Sequence, residues 1–239
     1  MSNNDIFYIY TLNRPSTVHK VRLKPLNISG ALLFIALLLL LDQGSKIYIK
    51  LHYPLTVYGS QALIDWGFFK LLFVENKGMA MGTRLNDFLP FISDQTAKLA
   101  LTLFRLVAIV GLGYWLIDTF KKKGPILLRW ALCLVFAGAL GNIIDSVFYG
   151  VLFTHSYGQI ATWAGSEGGY APLFYGHVVD MLQFPLVKWT WPQWLPFVGG
   201  EPYLFFEYIF NFADTAISVG VGIMIAFNKK VFGTISPKK

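Results

Sequence analysis

Charge is what this sequence has least of. Only 14% of its 239 residues are Asp, Glu, Lys or Arg, where a water-soluble domain carries about 25%. With 55% hydrophobic residues and a mean hydropathy of +0.52, the deficit excludes an ordinary soluble domain and implies an integral membrane protein. Cysteine is almost missing. The single Cys133 excludes an internal disulfide and says nothing about redox compartment. The four histidines lack metal-ligand spacing, so no metal is expected. There is no Gly-Xaa-Ser-Xaa-Gly, no His-Glu-Xaa-Xaa-His, no phosphate-cradling glycine loop and no cysteine pair. These absences remove the corresponding serine hydrolases, zinc peptidases and nucleotide-binding enzymes, and no cofactor is expected. Ser45 and Lys46 are adjacent, but neighbours on a helix point about 100° apart, which argues against a Ser/Lys dyad. No internal repeat and no low-complexity segment is found.

What is present is a set of long apolar runs. Four membrane helices are expected by length and hydropathy, over about 28–49, 96–120, 126–148 and 203–227. The first leads straight into Asp42 and Lys46 without a small-residue cleavage site, so it reads as a retained helix. Residues 1–25 are polar and carry Arg14, Lys20, Arg22 and Lys24, which predicts a mobile cytoplasmic tail. Residues 26–230 form the expected membrane domain, and 231–239 a second cytoplasmic tail. Within that domain, 53–94 mixes Gly, Pro, Asn and aromatics with β-like pieces such as Phe68-Lys70-Leu72-Val74. It predicts a small extramembrane strand element, and 149–202 predicts a long outer loop. The fold class expected is therefore all-α, four transmembrane helices with a small β-cradle. The net charge of +7 would point to nucleic acid in a soluble protein. Here the N-terminal bases, Lys121-Lys122-Lys123 with Arg129, and Lys229-Lys230 all fall on one side of a four-pass chain. The positive-inside rule makes that side cytoplasmic, and no nucleic-acid partner is expected.

The polar residues on these apolar helices gather at the opposite, outward ends. Asp42 and Lys46 are four apart with the acid first, the better order for a helical pair. Asn142, Asp145 and Ser146 share a face of the third helix. Glu207, Asn211, Asp214 and Ser218 form a stripe with helical spacing on the fourth. Three helices aim polar groups at one level, which implies a shared, partly wet cavity opening outward. A second acid, Asp180, ends His177-Val178-Val179-Asp180. A carboxylate at the mouth of a membrane helix is costly unless something pairs or uses it, and we expect Asp180 and Asp214 to meet. Each group has a plainer reading. Asp42 and Lys46 can simply end a helix as an ion pair, and Asn142 and Asn211 can hold helices together. Asp145 can anchor the following loop, Glu207 can be solvated, and Asp214 can pair with Lys46. His177 can be a relay or a structural histidine.

Five blocks carry a resemblance. They are Asp42-Gln43-Gly44-Ser45-Lys46, Asn76-Lys77-Gly78-Met79-Ala80, Gly141-Asn142-Ile143-Ile144-Asp145, Val178-Val179-Asp180 and Phe210-Asn211-Phe212-Ala213-Asp214. In this order, at these helix ends, the chain resembles the lipoprotein signal peptidases, or signal peptidase II. The resemblance implies a four-helix inner-membrane aspartyl endopeptidase that cuts diacylglyceryl-modified prolipoproteins just before the lipobox cysteine. It implies Asp180 and Asp214 as catalytic acids. Asp42, Lys46, Asn76, Gly78, Asn142, Asp145, Asn211 and Ala213 are the supporting or substrate-binding residues. It implies contact with membrane lipids and inhibition by globomycin-type cyclic peptides; a monomer is expected. Ser146 stands where the family usually has Arg, Met81 and Met181 where it usually has Phe, and 149–176 is longer than the usual link. A proton-coupled transporter is the competing class. It expects acids near the bilayer midplane and often inverted repeats, and this sequence has neither.

Overall fold

The structure is a computed structural model that describes residues 6–9, 19–22, 26–56, 62–78, 91–166 and 168–233. Its elements, in chain order, are β1 (Ile6–Ile9), β2 (His19–Arg22), α1 (Ile28–His52), β3 (Ile64–Asp65), β4 (Lys70–Asn76), α2 (Asp94–Lys121), α3 (Ile126–Leu152), β5 (Val178–Gln183), β6 (Val187–Thr190), β7 (Pro202–Phe205), β8 (Ile209–Phe210), α4 (Phe212–Ala226) and α5 (Asn228–Phe232). The N-terminal stretch expected as a mobile tail holds β1 and β2, paired antiparallel from Ile6↔Arg22 to Ile9↔His19. Its other residues lie outside the described residues, as do Met81 and Arg84 of the outer element and 234–239 of the C-terminal tail.

Among the described residues, α1, α2 and α3 are long and apolar enough to cross a membrane. Each starts where the chain can satisfy its first free N–H groups. Asn27 caps α1 by accepting from the Gly30 N–H at 2.7 Å, and Ser93 caps α2 by accepting from Thr96. Leu32, Leu33, Leu37 and Leu40 of α1, and Phe104, Val107, Val110 and Tyr114 of α2, remain exposed. This is the surface that a bilayer rather than water accepts.

The fourth helix is shorter than the sequence implied. α4 has 15 residues, about 22 Å of rise against a hydrocarbon core of about 30 Å. Residues 203–208, expected as its first turns, are not helical: 203–205 are strand and Phe206 turns the chain with a φ of 64°. Pro202–Phe205 pairs with β6, and Trp189 packs on Tyr203 with ring centroids 4.6 Å apart. An aromatic-rich apolar run satisfies a strand as well as a helix. Asn211 then starts the helix with a reciprocal capping box.

The chain is predominantly helical with small antiparallel sheets, and the strand part is larger than expected. The 149–202 loop contributes strands, so the cradle is larger than a local feature of 53–94. Its sheet runs in the order β3-β4-β5-β8, all antiparallel. β4 confirms the predicted β-like run from Lys70 onward. A register shift between Leu71 and Val74 sets Val74 opposite Asp180 and Asn76 opposite Val178.

Two apolar clusters bracket the polar level. One joins Ile35, Leu116, Leu132, Cys133 and Val231 between the helices. The other joins Ile49, Phe73, Tyr149, Phe153, Val179 and Met181, clamping the sheet onto the ends of α1 and α3. Full burial of each large side chain is worth about 1.5–3 kcal/mol. The α3–α4 seam needs small residues. A Cβ on Gly138 would lie 2.2 Å from the Ala213 carbonyl oxygen, and one on Gly141 would lie 2.6 Å from Asp42 Oδ2. The long 149–176 link is also accounted for. It doubles back on the end of α3, where the N–H groups of Ala171, Phe174 and Gly176 donate to the carbonyls of Gly150, Val147 and Ser146.

Candidate active site

Three charged side chains form the base of the site. Lys46 is fully buried, and its ammonium lies 2.8 Å from Asp42 Oδ2 and 2.9 Å from Asp145 Oδ2. Asp42 Oδ1 accepts from the Ala213 N–H at 2.9 Å, and Asp145 Oδ2 accepts from the Val179 N–H at 3.3 Å. The triad therefore ties α1 and α3 to the start of α4 and to β5. The plainer readings of Asp42 as a helix-end pair and of Asp214 as the partner of Lys46 both give way to it. Gln43 completes this layer. Its amide donates to Asp145 Oδ1 at 2.8 Å and to the Gly141 carbonyl at 3.1 Å, and it accepts from the Tyr149 hydroxyl.

Above this base, two asparagines and two acids are knitted together. Asn142 donates to Asp214 Oδ1 at 2.7 Å and accepts from Lys46 at 3.1 Å. Asn211, fully buried, caps α4 by accepting from the Asp214 N–H while Asp214 Oδ2 accepts from the Asn211 N–H. The same Asn211 amide donates to Asp180 Oδ1 at 2.8 Å and to Asn142 Oδ1 at 3.1 Å. Asn76 donates to Asp180 Oδ2 at 3.1 Å, and the Gly78 N–H donates to Asn76 Oδ1 at 2.9 Å. The structure thus brings Asp180, Asp214, Asp42, Lys46, Asn76, Gly78, Asn142, Asp145, Asn211 and Ala213 into one network. Burial pushes the Asp180 carboxyl up to about 7, and the charge of Asp214 adds to the shift. Hydrogen bonds from Asn76 and Asn211 and the charge of Lys46 work against it.

Other sequence candidates fall elsewhere. Glu207 is exposed, lies ahead of α4 and offers only its carbonyl, to Gln183 at 2.6 Å. The Ser45 hydroxyl donates to the Asp42 carbonyl within its own helix, so it forms no dyad with Lys46.

His177 joins a second buried network that the sequence did not single out. Its Nδ1 lies 3.0 Å from Glu75 Oε2, whose other oxygen is held by Lys50 and Ser156. Burial would raise the Glu75 carboxyl, but His177, Lys50 and Ser156 together hold it at about 2. Burial lowers the His177 ring despite Glu75. These groups come from α1, β4 and the 149–177 link, so no local pattern announces them.

Arg105 of α2 is the most consequential residue missed. Its guanidinium donates to Ser146 Oγ at 3.0 Å, and Ser146 in turn donates to the Asn142 carbonyl at 2.8 Å. The carboxylates of Asp214, Asp145 and Asp180 all act on it. A lone Arg in the run Leu103-Phe104-Arg105-Leu106-Val107 was the available signal, since an ionisable group inside a membrane helix is functional by default.

With this geometry in place, similarity to known proteins decides the family. The profile of the family described as Signal peptidase (SPase) II matches residues 34–228. The chain belongs to the signal peptidase II family. A lipoprotein signal peptidase of Porphyromonas gingivalis is 44% identical over 193 residues, covering 80% of this chain and 79% of that protein. One of Amoebophilus asiaticus is 33% identical over 195 residues, covering 80% and 74%. A solved structure described as a bacterial membrane enzyme at 2.3 Å resolution is 21% identical. It superposes with a TM-score of 0.53 over 90% of this chain and 97% of that one, a likeness of fold. A signal peptidase II is a peptide-bond hydrolase.

Proposed function

We propose that this signal peptidase II removes the signal peptide from diacylglyceryl-modified prolipoproteins, cutting immediately before the lipobox cysteine with Asp180 and Asp214 as an aspartyl pair. One observation carries the reading: Asn211 holds both acids, capping the helix that begins at Asp214 and donating to Asp180. Two carboxylates sharing one site titrate as a unit with one proton between them. Asp180, whose affinity for a proton is raised, is the acid, and Asp214 is the base. Asp214 takes a proton from water as the hydroxide oxygen bonds to the scissile carbonyl carbon. Asp180 gives its proton to the carbonyl oxygen, forming a gem-diol. In the collapse Asp180 takes a proton back from one gem-diol hydroxyl as the carbonyl re-forms, the C–N bond breaks, and Asp214 gives its proton to the leaving amine. Asn142 and Asn211 hold the acids in place, and Asn76 orients Asp180 from the sheet side.

The charge balance explains Arg105. Lys46 is flanked by two carboxylates, which leaves the base of the site with a surplus negative charge beside the pair. Arg105 offsets it, reaching from α2 to the position after Asp145 where the family usually carries its own Arg. Ser146 makes room and accepts its hydrogen bond.

The lipid chains of the substrate lie in the bilayer against the apolar helix faces. The basic clusters support a topology with both termini in the cytoplasm and the acids near the outer face of the bacterial inner membrane. Globomycin-type cyclic peptides inhibit this activity. The test is incubation of the purified protein with a diacylglyceryl-cysteine lipobox peptide, with and without globomycin. Mass spectrometry is expected to find one cut before the cysteine, blocked by the inhibitor. Cutting elsewhere or no cutting refutes the reading.

A further inference from the structure

Beside the acid pair lies a cavity of about 480 Å³ lined by Lys77, Gly78, Asp94, Lys98, Tyr170 and His177 among others. Lys98 is only 8% exposed. Its Nζ is, among the described residues, the one buried side-chain nitrogen or oxygen without a hydrogen-bond partner. A buried ammonium with nothing to bond is costly, and the cost is removed by a partner that arrives from outside. That partner must be an acceptor, because –NH3+ offers three donors and no acceptor, and an anion also pairs the buried charge.

The surrounding charges reinforce the demand. Lys77 stands with its ammonium 5.4 Å above the Tyr157 ring and also lines the cavity. Arg105 is two turns further along α2 and contributes to the field at Lys98. The anions nearby are already engaged. Glu75 is held by Lys50, Ser156 and His177, and Asp94 has an interaction of its own. His177 spends its Nδ1 on Glu75, and the Tyr170 hydroxyl accepts from the His177 N–H at 2.6 Å.

The position of the cavity indicates what fills it. Asn76 touches Asp180, and the next two residues, Lys77 and Gly78, line the cavity. His177 lies three positions before Asp180 on the neighbouring strand, about 10 Å along an extended chain. The first turn of α2, with Asp94 and Gln95, forms part of the lining at the end away from the lysine-rich side. In the topology proposed above, this is the outward side of the acids, where the chain that follows the cut would run. We propose that it is a subsite for an acidic side chain of the substrate, two to four residues past the lipobox cysteine, with Lys98 as its ion partner. This rests on the peptidase reading above and adds a sequence preference to it.

The test uses the purified full chain in micelles free of anionic lipid. Two diacylglyceryl-cysteine peptides are compared, identical except for Asp or Asn at the second to fourth positions after the cysteine. The kcat/KM ratio is expected to favour the Asp peptide about tenfold, the scale of one charge-assisted hydrogen bond. Lys98→Met is expected to bring the ratio to about one, and Lys98→Glu to shift preference to a Lys-bearing peptide. A wild-type ratio near one, or a ratio that neither variant changes, overturns the subsite. If size-exclusion and melting show that Lys98→Met does not fold, Lys77→Met serves instead, with the ratio expected to drop. Dependence of turnover on added phosphatidylglycerol that Lys98→Met abolishes, with no peptide preference, assigns the cavity to a lipid headgroup and overturns the proposal. Cleavage of both peptides at equal rates sinks the subsite alone, whereas cleavage of neither sinks the peptidase reading as well.

Discussion

Arg105 and Ser146 allow the charge balance to be moved rather than merely removed. The guanidinium on α2 donates to the Ser146 hydroxyl on α3, one hydrogen bond from Asn142 and two from Asp214. Arg105→Gln keeps a polar side chain there but deletes the charge. A hydrogen bond involving a charged group contributes about 1.5–3 kcal/mol, so kcat is expected to fall roughly tenfold to a hundredfold. Substrate affinity should change less, because the loss bears on the acid pair. The double variant Arg105→Gln, Ser146→Arg returns the positive charge to the same pocket from the other helix. It is expected to recover most of the rate, while Ser146→Arg alone is impaired by two cations crowded together. Steady-state cleavage of a lipidated lipobox peptide, with kcat and KM separated, measures all four proteins. Full activity in Arg105→Gln, or a double variant no better than the single one, would remove Arg105 as the counter-charge of the site.

Four further outcomes follow from the same geometry. Asp180 holds its proton up to about pH 7, so turnover should decline as pH rises through that value, and a rate still rising to pH 9 would remove its role as the acid. Its folded value lies above the ordinary carboxylate range, so the native state binds more protons between about pH 4 and 7 and loses stability as pH rises across that window. Asp180→Asn should therefore melt higher than wild type at pH 8, measured by differential scanning fluorimetry in detergent. Glu75→Ala strands the fully buried Lys50, a loss of about 3–5 kcal/mol, and limited proteolysis should then cut within 149–177, which wild type protects. Gly138→Val drives a side chain into the Ala213 carbonyl and should shift the melting point down by an amount corresponding to about 1–3 kcal/mol; an unchanged melting point would mean the α3–α4 seam is looser than drawn.

How much of this was legible in the sequence depends on the range of each interaction. The three long helices were readable because an apolar run of that length has few other fates. The fourth was misplaced at its start because Tyr203 to Tyr208 carries no period that separates strand from helix. The true start was marked by Asn211 and Asp214, a capping pair three apart, and those residues keep their places in the site. Glu207 dropped out once the helix no longer reached it. The polar triad was partly readable as Asp42 and Lys46 on one face, but its third member arrives from α3 and its role from β5. The Lys50, Glu75, Ser156 and His177 network joins positions too far apart for any pattern to suggest. The extra length of 149–176 read as a loop, since its backbone bonds go to the end of α3 and leave no periodic trace. Arg105 stands out as an isolated charge in an apolar run, but its partner Ser146 lies on another helix and leaves no local pattern.

The most direct measurement is the turnover of a diacylglyceryl-cysteine lipobox peptide by purified Asp180→Asn and Asp214→Asn, each checked for folding by size-exclusion in detergent and by melting. Either change is expected to lower cleavage by at least about a thousandfold, within the range for loss of a positioned acid or base, while the protein stays folded. Cleavage near the wild-type rate by either folded variant would contradict the assignment of these acids as the catalytic pair.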